Sequence, residues 1–536
     1  MTTPSARHFR PGWAIGLCLI WALIYLPGLG QPEYKGEEPR RVQPAVFMLD
    51  YGQWALPHVG GESYYNKPPF INWCIAGAMQ LSQRRDEWAA RSVSVLAVLA
   101  TGLLIYFSLQ GWSGPRIAAL CSILFLTHIG LMEKGRLIEI EALYTLFIVG
   151  PMTLWLGAWA RSRPQPWLVI GLLLGLGVLT KGPLNVLLFY AFVLLLTSPW
   201  RFSWRTLRQQ MLPLALTLLP TAAWVTLLFL GSPEPEKIWG TWFSQVSVRV
   251  TGQEGQGLSH LVNIPRSLSN FLPWLTFVPL LFTPKAPSAL PCSDRVWVRL
   301  RWLSLVGVVG LCLVPGILPR YVQPLLWLPS LLLAWRLMES PAWLGVWRNF
   351  LVASWIILSL AAASLAVIVI FFDEIPVDLV GLAGFLMVLI ALGYGGRKAL
   401  SAPLTAPRLV VLSALIMAAV AWGYTAAVIP QLAARDSSRP IVQKLTESLS
   451  SEDQLQIYRP GLRDFVSYLP PKTLFPLRPS EIQAGWLLIR SEQIDRLPVN
   501  RFPVIVPEWE WSDSHDHAWQ LIHLSENDSA ESELLE

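Results

Sequence analysis

Apolar windows long enough, or nearly long enough, to cross about 30 Å of hydrocarbon recur thirteen times along this chain. They lie near residues 12–30, 89–110, 115–132, 142–160, 166–179, 183–199, 211–230, 268–283, 302–316, 322–338, 349–372, 378–396 and 408–430. Hydrocarbon offers no partner to a backbone N–H or C=O, so segments of this kind satisfy those groups internally, as helices. The pattern predicts an all-α polytopic membrane protein with about thirteen transmembrane helices. Composition excludes the soluble alternatives: the 536 residues are 53% hydrophobic and only 14% charged, and the mean hydropathy is +0.45. The formal charge of +6 is scattered over short loops, which fits the positive-inside bias and argues against a nucleic-acid partner.

Charge also sets the expected topology. Arg7 and Arg10 precede the first window, which lacks an A-x-A-like cleavage site. It reads as an uncleaved first helix with the N-terminus in the cytoplasm. The cytoplasmic connections 161–166, 199–208 and 395–408 are then basic and free of acids, while the acid-bearing connections 33–62, 133–141, 232–254 and 373–378 fall on the other side. Segment 70–83 is apolar but too short to span, and is expected to lie along the membrane surface within a first periplasmic loop, 31–88. The chain thus divides into a membrane domain, 1–430, and a C-terminal periplasmic domain, 431–536. In the latter, 456–460 and 485–491 resemble short strands and 441–449 an amphipathic helix, which suggests a small α/β soluble fold with a disordered acidic end. The five cysteines are far apart and include no C-x-x-C pair, so neither a zinc site nor a disulfide framework is indicated.

The chemistry-bearing residues gather in the non-cytoplasmic connections. Glu37 and Glu38 are followed by Arg40 and Arg41. A carboxylate at a membrane interface can serve as general base toward a hydroxyl, and the arginines can hold it ionised or contact a phosphate. A solvated charged loop is the competing reading. In Tyr64-Tyr65-Asn66-Lys67-Pro68-Pro69 the prolines stiffen the backbone around Lys67, which suits an anionic headgroup or simple snorkelling. Glu139 and Glu141 are two residues apart, so a helix sends them in different directions. Glu141, at the start of a span, is favoured for the site, with helix capping as the alternative. Lys181 ends an apolar helix on the same side, before Gly182-Pro183, with a plain interfacial anchor as the competing reading. Arg320 and Tyr321 stand at a helix turn where they can hydrogen-bond a phosphate oxygen. The connection 231–270 carries Arg249, Gly252, Glu254, Gly255 and His260, a pattern expected of a flap. His515 and His517 near Asp513 read as part of a polar hairpin in preference to a metal site.

The ordered set GEEPRR, GQWALPHVGGESYYNKPP, GRLIEIEALYTLF, GVLTKGP and RYVQP resembles bacterial members of the C-type glycosyltransferase superfamily. Protein O-mannosyltransferases and the lipid A aminoarabinose transferase are the relatives it is most similar to. The resemblance covers most of residues 30–330. It implies a sugar donor carried on a polyprenyl phosphate and an active site at the extracytoplasmic face of the bacterial inner membrane. By position, it implies that Glu37, Glu38 and Glu141 are catalytic acids. It also implies that Lys67, Lys181, Arg249 and Tyr321, with Arg40 beside them, surround the donor phosphate. Both key acids are commonly Asp in relatives and are Glu here.

The expected function is transfer of the sugar, with inversion, to a lipid (lipid A-like) or protein acceptor among the membrane lipids. A divalent cation at Glu37 and Glu141 is an expected option. A transporter or flippase of lipid-linked sugars is the rival, although it would place ionisable residues in mid-span rather than at helix ends.

Overall fold

A computed structural model describes residues 11–197, 204–251, 261–282, 293–314, 318–339, 341–372, 375–400, 405–435, 437–450, 453–497, 507–513 and 517–525. The chain is predominantly helical. After α1 (Pro11–Tyr25) the first loop holds α2 (Pro39–Tyr51), a hairpin of β1 (His58–Val59) and β2 (Glu62–Ser63), and α3 (Phe70–Ser82). There follow α4 (Glu87–Ser113), α5 (Pro115–Leu126), α6 (Ile129–Arg136), α7 (Ile140–Trp159), α8 (Trp167–Lys181), α9 (Leu184–Thr197), α10 (Trp204–Gly231) and α11 (Pro235–Thr251). The second half holds α12 (Asn263–Ser269), α13 (Asp294–Cys312), α14 (Trp327–Glu339), α15 (Pro341–Phe371), α16 (Leu379–Leu400), α17 (Ala406–Arg435) and α18 (Arg439–Glu447).

Among the described residues, six helices are long and apolar enough to cross a membrane: α4, α7, α10, α15, α16 and α17. The pair α5 and α6, bent by 65° at its break, supplies a seventh if it is one span. Helices α1, α8 and α9 are apolar but shorter. The windows expected at 268–283 and 322–338 are not single long helices. They contain the 3-10 segments Trp274–Phe282 and Pro319–Leu325, because Pro279 and Pro324 lack the N–H that an α-helix would use there. The residues from Trp327 to Leu337 in α14 are all buried. Their apolarity serves the protein core instead of a lipid-facing surface.

Small residues let the central helices approach closely. On α7, a Cβ added at Gly157 would stand 2.1 Å from the Ser108 carbonyl oxygen of α4. This close packing joins the C-terminal part of α7 to α4, while Glu139 and Glu141 stand at the opposite, N-terminal end of the helix.

The first loop is more ordered than its polar sequence suggests. Helix α2 begins at Pro39, whose fixed φ suits the first helical position, and ends at Gly52 in the left-handed region. Glu37 and Glu38 thus stand at a helix N-terminus, where unpaired N–H groups favour anions. In the β1–β2 hairpin, Gly60 and Gly61 have φ of +56° and +81°, as a two-residue turn of this hand requires. A Cβ at Gly60 would meet the Gly461 carbonyl oxygen at 2.3 Å, so the hairpin is pressed against the C-terminal region.

That region contains a four-stranded sheet in the order β3-β4-β6-β5. Strand β3 (Gln456–Ile457) runs parallel to β4 (Gly485–Arg490), and β4 and β5 (Pro507–Ser512) both pair antiparallel with β6 (Ala518–Leu524). Leu487, Leu488 and Ile489 are buried. The expected helix at 441–449 corresponds to α18, and the two expected strands to β3 and β4.

Candidate active site

Glu37 and Glu38 are neighbours in sequence with opposite environments. Glu37 keeps 31% of its side chain exposed and accepts hydrogen bonds from Arg40 at 2.9 and 3.0 Å and from Arg41 at 3.4 Å. Glu38 is fully buried. Its carboxylate accepts both Arg91 Nε at 2.7 Å and Arg91 Nη2 at 2.8 Å. It also accepts the backbone N–H groups of Lys35 (3.1 Å) and Ile138 (2.9 Å). Arg91 in turn donates to the carbonyls of Leu29, Pro32 and Glu33. Glu38 therefore ties the first loop to α4 and to the turn before α7, and it offers no surface to a substrate.

The second acidic pair meets cations from two distant segments. The Lys181 ammonium donates to Glu141 Oε1 at 3.0 Å, and Arg320 Nε lies 3.0 Å from the same oxygen. Arg320 also reaches Glu139 at 3.6 Å, which Lys134 pairs at 3.1 Å. Burial, reinforced by repulsion from Glu141, raises the Glu139 carboxyl above the ordinary range, against the pull of Lys134 and Arg320. The same two acids hold the Arg320 guanidinium firmly charged, their pull outweighing the cost of its burial.

Lys181 is aimed by its surroundings. Its ammonium stands 4.1 Å from the centre of the Tyr321 ring and 5.6 Å from that of Tyr144. Helix α8 ends at Gly182 with φ +105°, and Tyr144 closes the turn by donating to the Gly182 carbonyl and accepting the Asn185 N–H. Arg320 is carried by the Pro319–Leu325 turn, which Asn270 and Gln323 tie down. Asn270 donates to the Pro319 carbonyl, and Gln323 donates to the Gly130 carbonyl in α6.

These two groups of charges form one field. Arg41, itself buried, acts electrostatically on Glu141, and Glu37 acts on Arg320. Arg41 also donates to the Tyr64 hydroxyl at 3.2 Å, which brings the Tyr64–Pro69 motif to the same wall. Lys67 bonds Gln245 on α11, and Gln245 and Trp242 of that helix donate to the carbonyls of Asn66 and Tyr65. Arg249 follows Gln245 by one turn in α11. Its side chain, and Gly252, Glu254, Gly255 and His260, lie outside the described residues, as does His515. His517 and Asp513 flank the β5–β6 connection and engage Arg463, in line with the polar hairpin.

Among the described residues, no group of three or more His, Cys, Asp or Glu side chains converges to hold a metal ion. Glu37 and Glu141, the expected cation ligands, are instead engaged by arginine and lysine. Sequence reasoning underweighted Arg41, Glu139 and Arg320, and it missed Arg91 and Lys134. Arg320 carried a signal in the RYVQP motif. Arg91 sits within an apolar helix, and a charge in that position needs a partner.

Chemically, the arrangement offers a partly open carboxylate at a helix N-terminus beside a buried acid that steers two cations. It suits a reaction in which one group loses a proton while another gains negative charge.

A family model described as dolichyl-phosphate-mannose-protein mannosyltransferase matches residues 66–226. An undecaprenyl phosphate-alpha-4-amino-4-deoxy-L-arabinose arabinosyl transferase of Erwinia tasmaniensis is 27% identical over 324 residues, covering 58% of this chain and 57% of that protein. One from Pseudomonas savastanoi pv. phaseolicola is 28% identical over 345 residues, 60% of this chain and 61% of that protein. The chain thus spans about three fifths of the length of the curated relatives it matches. The crystal structure of ArnT from Cupriavidus metallidurans bound to undecaprenyl phosphate has a TM-score of 0.68 at 17% identity, over 96% of this chain and 98% of that one. The fold is therefore shared along nearly the whole chain. The chain is thus similar in sequence to these transferases over part of its length and shares the fold of the Cupriavidus structure.

Proposed function

We propose that this protein is a multi-pass glycosyltransferase of the bacterial inner membrane, moving a sugar from a polyprenyl-phosphate donor to an acceptor hydroxyl at the periplasmic face. The observation that carries this reading is the meeting of Glu37, Arg41, Glu141, Lys181 and Arg320 in one electrostatic field, drawn from four separate connections. A pentose such as an aminoarabinose is the favoured sugar, because the sequence relatives are described as arabinosyl transferases. A lipid A-like glycolipid is favoured over a protein as acceptor.

In this mechanism the acceptor hydroxyl loses its proton to Glu37 as its oxygen attacks C1 of the sugar. The bond from C1 to the phosphate oxygen breaks on the opposite face, and its electron pair leaves with the polyprenyl phosphate. The outcome is inversion. Lys181 and Arg320, with Tyr321 beneath the ammonium, receive the leaving phosphate's charge where little water screens it. Lys67 and Arg40 extend this cationic wall toward the lipid headgroup, and Arg249 joins the donor-phosphate set on the strength of the motif resemblance alone. Glu141 orients Lys181 and Arg320, and Glu38 positions the loop rather than taking part in chemistry. A divalent cation between Glu37 and Glu141 would have to displace the groups already paired to them, so the cationic side chains supply the charge neutralisation in this reading.

The reading keeps about thirteen crossings, with short and broken helices completing the set. It also keeps a cytoplasmic N-terminus, a membrane domain of residues 1–430 and a periplasmic α/β domain of residues 431–536. The test is reconstituted protein given a labelled polyprenyl-phosphate sugar and lipid A. Release of free polyprenyl phosphate with label on the acceptor is expected. Label crossing the bilayer with its phosphate bond intact would mean transport instead.

A further inference from the structure

Residues 437–475 grip the first loop on both sides of Glu37. Glu33 accepts the backbone N–H groups of Ser438 and Arg439, at 2.7 and 3.1 Å, and the Ser437 hydroxyl, closing the start of α18. The Tyr468 hydroxyl accepts the Tyr34 N–H at 2.7 Å and donates to Glu87 at 2.5 Å, and the two tyrosine rings stack at 5.4 Å. Arg439 pairs with the same Glu87 carboxylate and lies 5.3 Å from the centre of the Tyr468 ring. Beyond Glu37, Gln43 of α2 donates to the Arg463 carbonyl at 2.7 Å.

Glu87 is one helical turn from Arg91 on α4, the residue that holds Glu38. The C-terminal segment thus reaches the catalytic loop directly, through Glu33, Tyr34 and Gln43, and indirectly through α4. The loop itself turns on Gly36, at φ +62°, a position with little intrinsic stiffness. Burial and the adjacent Glu87 keep the Tyr468 phenol well above its ordinary range, so it remains a donor at any physiological pH.

We propose that the C-terminal segment is a positioning element of the active site, in which Tyr468 and Arg439, acting through Tyr34 and Glu87, hold the loop that presents Glu37. This rests on the reading of Glu37 as the base. Neither Tyr468 nor Arg439 touches the reacting atoms. Their part is to keep Glu37 in register with Lys181 and Arg320, where a displacement of about 1 Å costs on the order of 100-fold in rate.

The experiment uses the full chain in nanodiscs. Tyr468→Phe keeps the ring stack and deletes both hydrogen bonds. It is expected to lower kcat by about tenfold or more, leave KM for the polyprenyl-phosphate sugar unchanged, and speed amide exchange in residues 31–43 but not in α17. Arg439→Lys, which keeps a charge opposite Glu87, should retain more kcat than Arg439→Met; this pair carries the same comparison if Tyr468→Phe does not insert. Wild-type kcat or wild-type exchange at 31–43 in Tyr468→Phe overturns the proposal. Faster exchange in α17 as well overturns it too, since the tyrosine would then be stabilising the fold in general. A wild-type protein that transfers no sugar overturns the functional reading instead, and the exchange result still decides whether Tyr468 orders the loop.

Discussion

The carboxylate of Glu38 faces the guanidinium of Arg91 across two contacts of 2.7 and 2.8 Å, and neither side chain reaches solvent. The pair joins the first loop to α4 inside a largely apolar bundle. Breaking such a pair on one side leaves an uncompensated buried charge, at a cost of about 3–5 kcal/mol. Arg91→Met and Glu38→Gln are therefore expected to lower the apparent Tm sharply and reduce membrane-inserted yield. The double variant should be less damaging than the sum of the two. Additive losses in a thermal-shift series would show that the two side chains are not coupled.

Glu37 differs from its neighbour in being reachable. Glu37→Gln keeps the shape and can still bond Arg40, so folding and insertion should be unaffected. Loss of a general base is expected to lower turnover by about 10²–10⁴-fold. Turnover is read as polyprenyl phosphate released in proteoliposomes, and wild-type turnover would remove Glu37 from the mechanism.

Lys181 and Arg320 share one oxygen of Glu141. If they stabilise the leaving phosphate, Lys181→Ala or Arg320→Ala should each reduce kcat by about 10²–10³-fold. Glu141→Gln releases both cations from their anchor and should lower kcat more than donor affinity. Equal losses in the two, seen in a binding assay beside steady-state kinetics, would make Glu141 a donor-binding residue instead.

His58 supplies a pH dependence. Burial lowers its imidazole to about 4, against a backbone bond to Leu56. The ring stacks on Phe47 of α2 at 4.3 Å and lines a small cavity with Val466 and Phe475. A histidine depressed in the folded state binds fewer protons there than in the unfolded chain. Its stability contribution is therefore full above the unfolded value of about 6.5 and is lost as pH falls from there toward 4. The loss is at most about 3 kcal/mol. His58→Phe should flatten the fall in apparent Tm between pH 7.5 and pH 5, and an unchanged slope would assign the acid sensitivity elsewhere.

The sequence by itself determined the membrane class, because hydropathy over a window of about twenty residues is a local property. Periodicity likewise determined the helix and two strands of the tail. The order of the motifs pointed to Glu37, Glu141, Lys181 and Tyr321 as candidates for one site, and Lys181 does meet Glu141 and Tyr321.

Only the tertiary structure separated Glu37 from Glu38. Adjacent residues of identical chemistry look alike in any local reading, and what distinguishes them is a guanidinium 53 positions away and a backbone N–H 100 positions away. Arg320 is a similar case, since it reaches Glu139 and Glu141 from across the chain. Hydropathy likewise did not show that the windows at 268–283 and 322–338 include proline-containing 3-10 turns, because a windowed average records apolarity and not backbone geometry. Burial and charge pairing are set by long-range contacts, and in a medium of low dielectric those contacts decide which carboxylate is buried in place and which stays reachable.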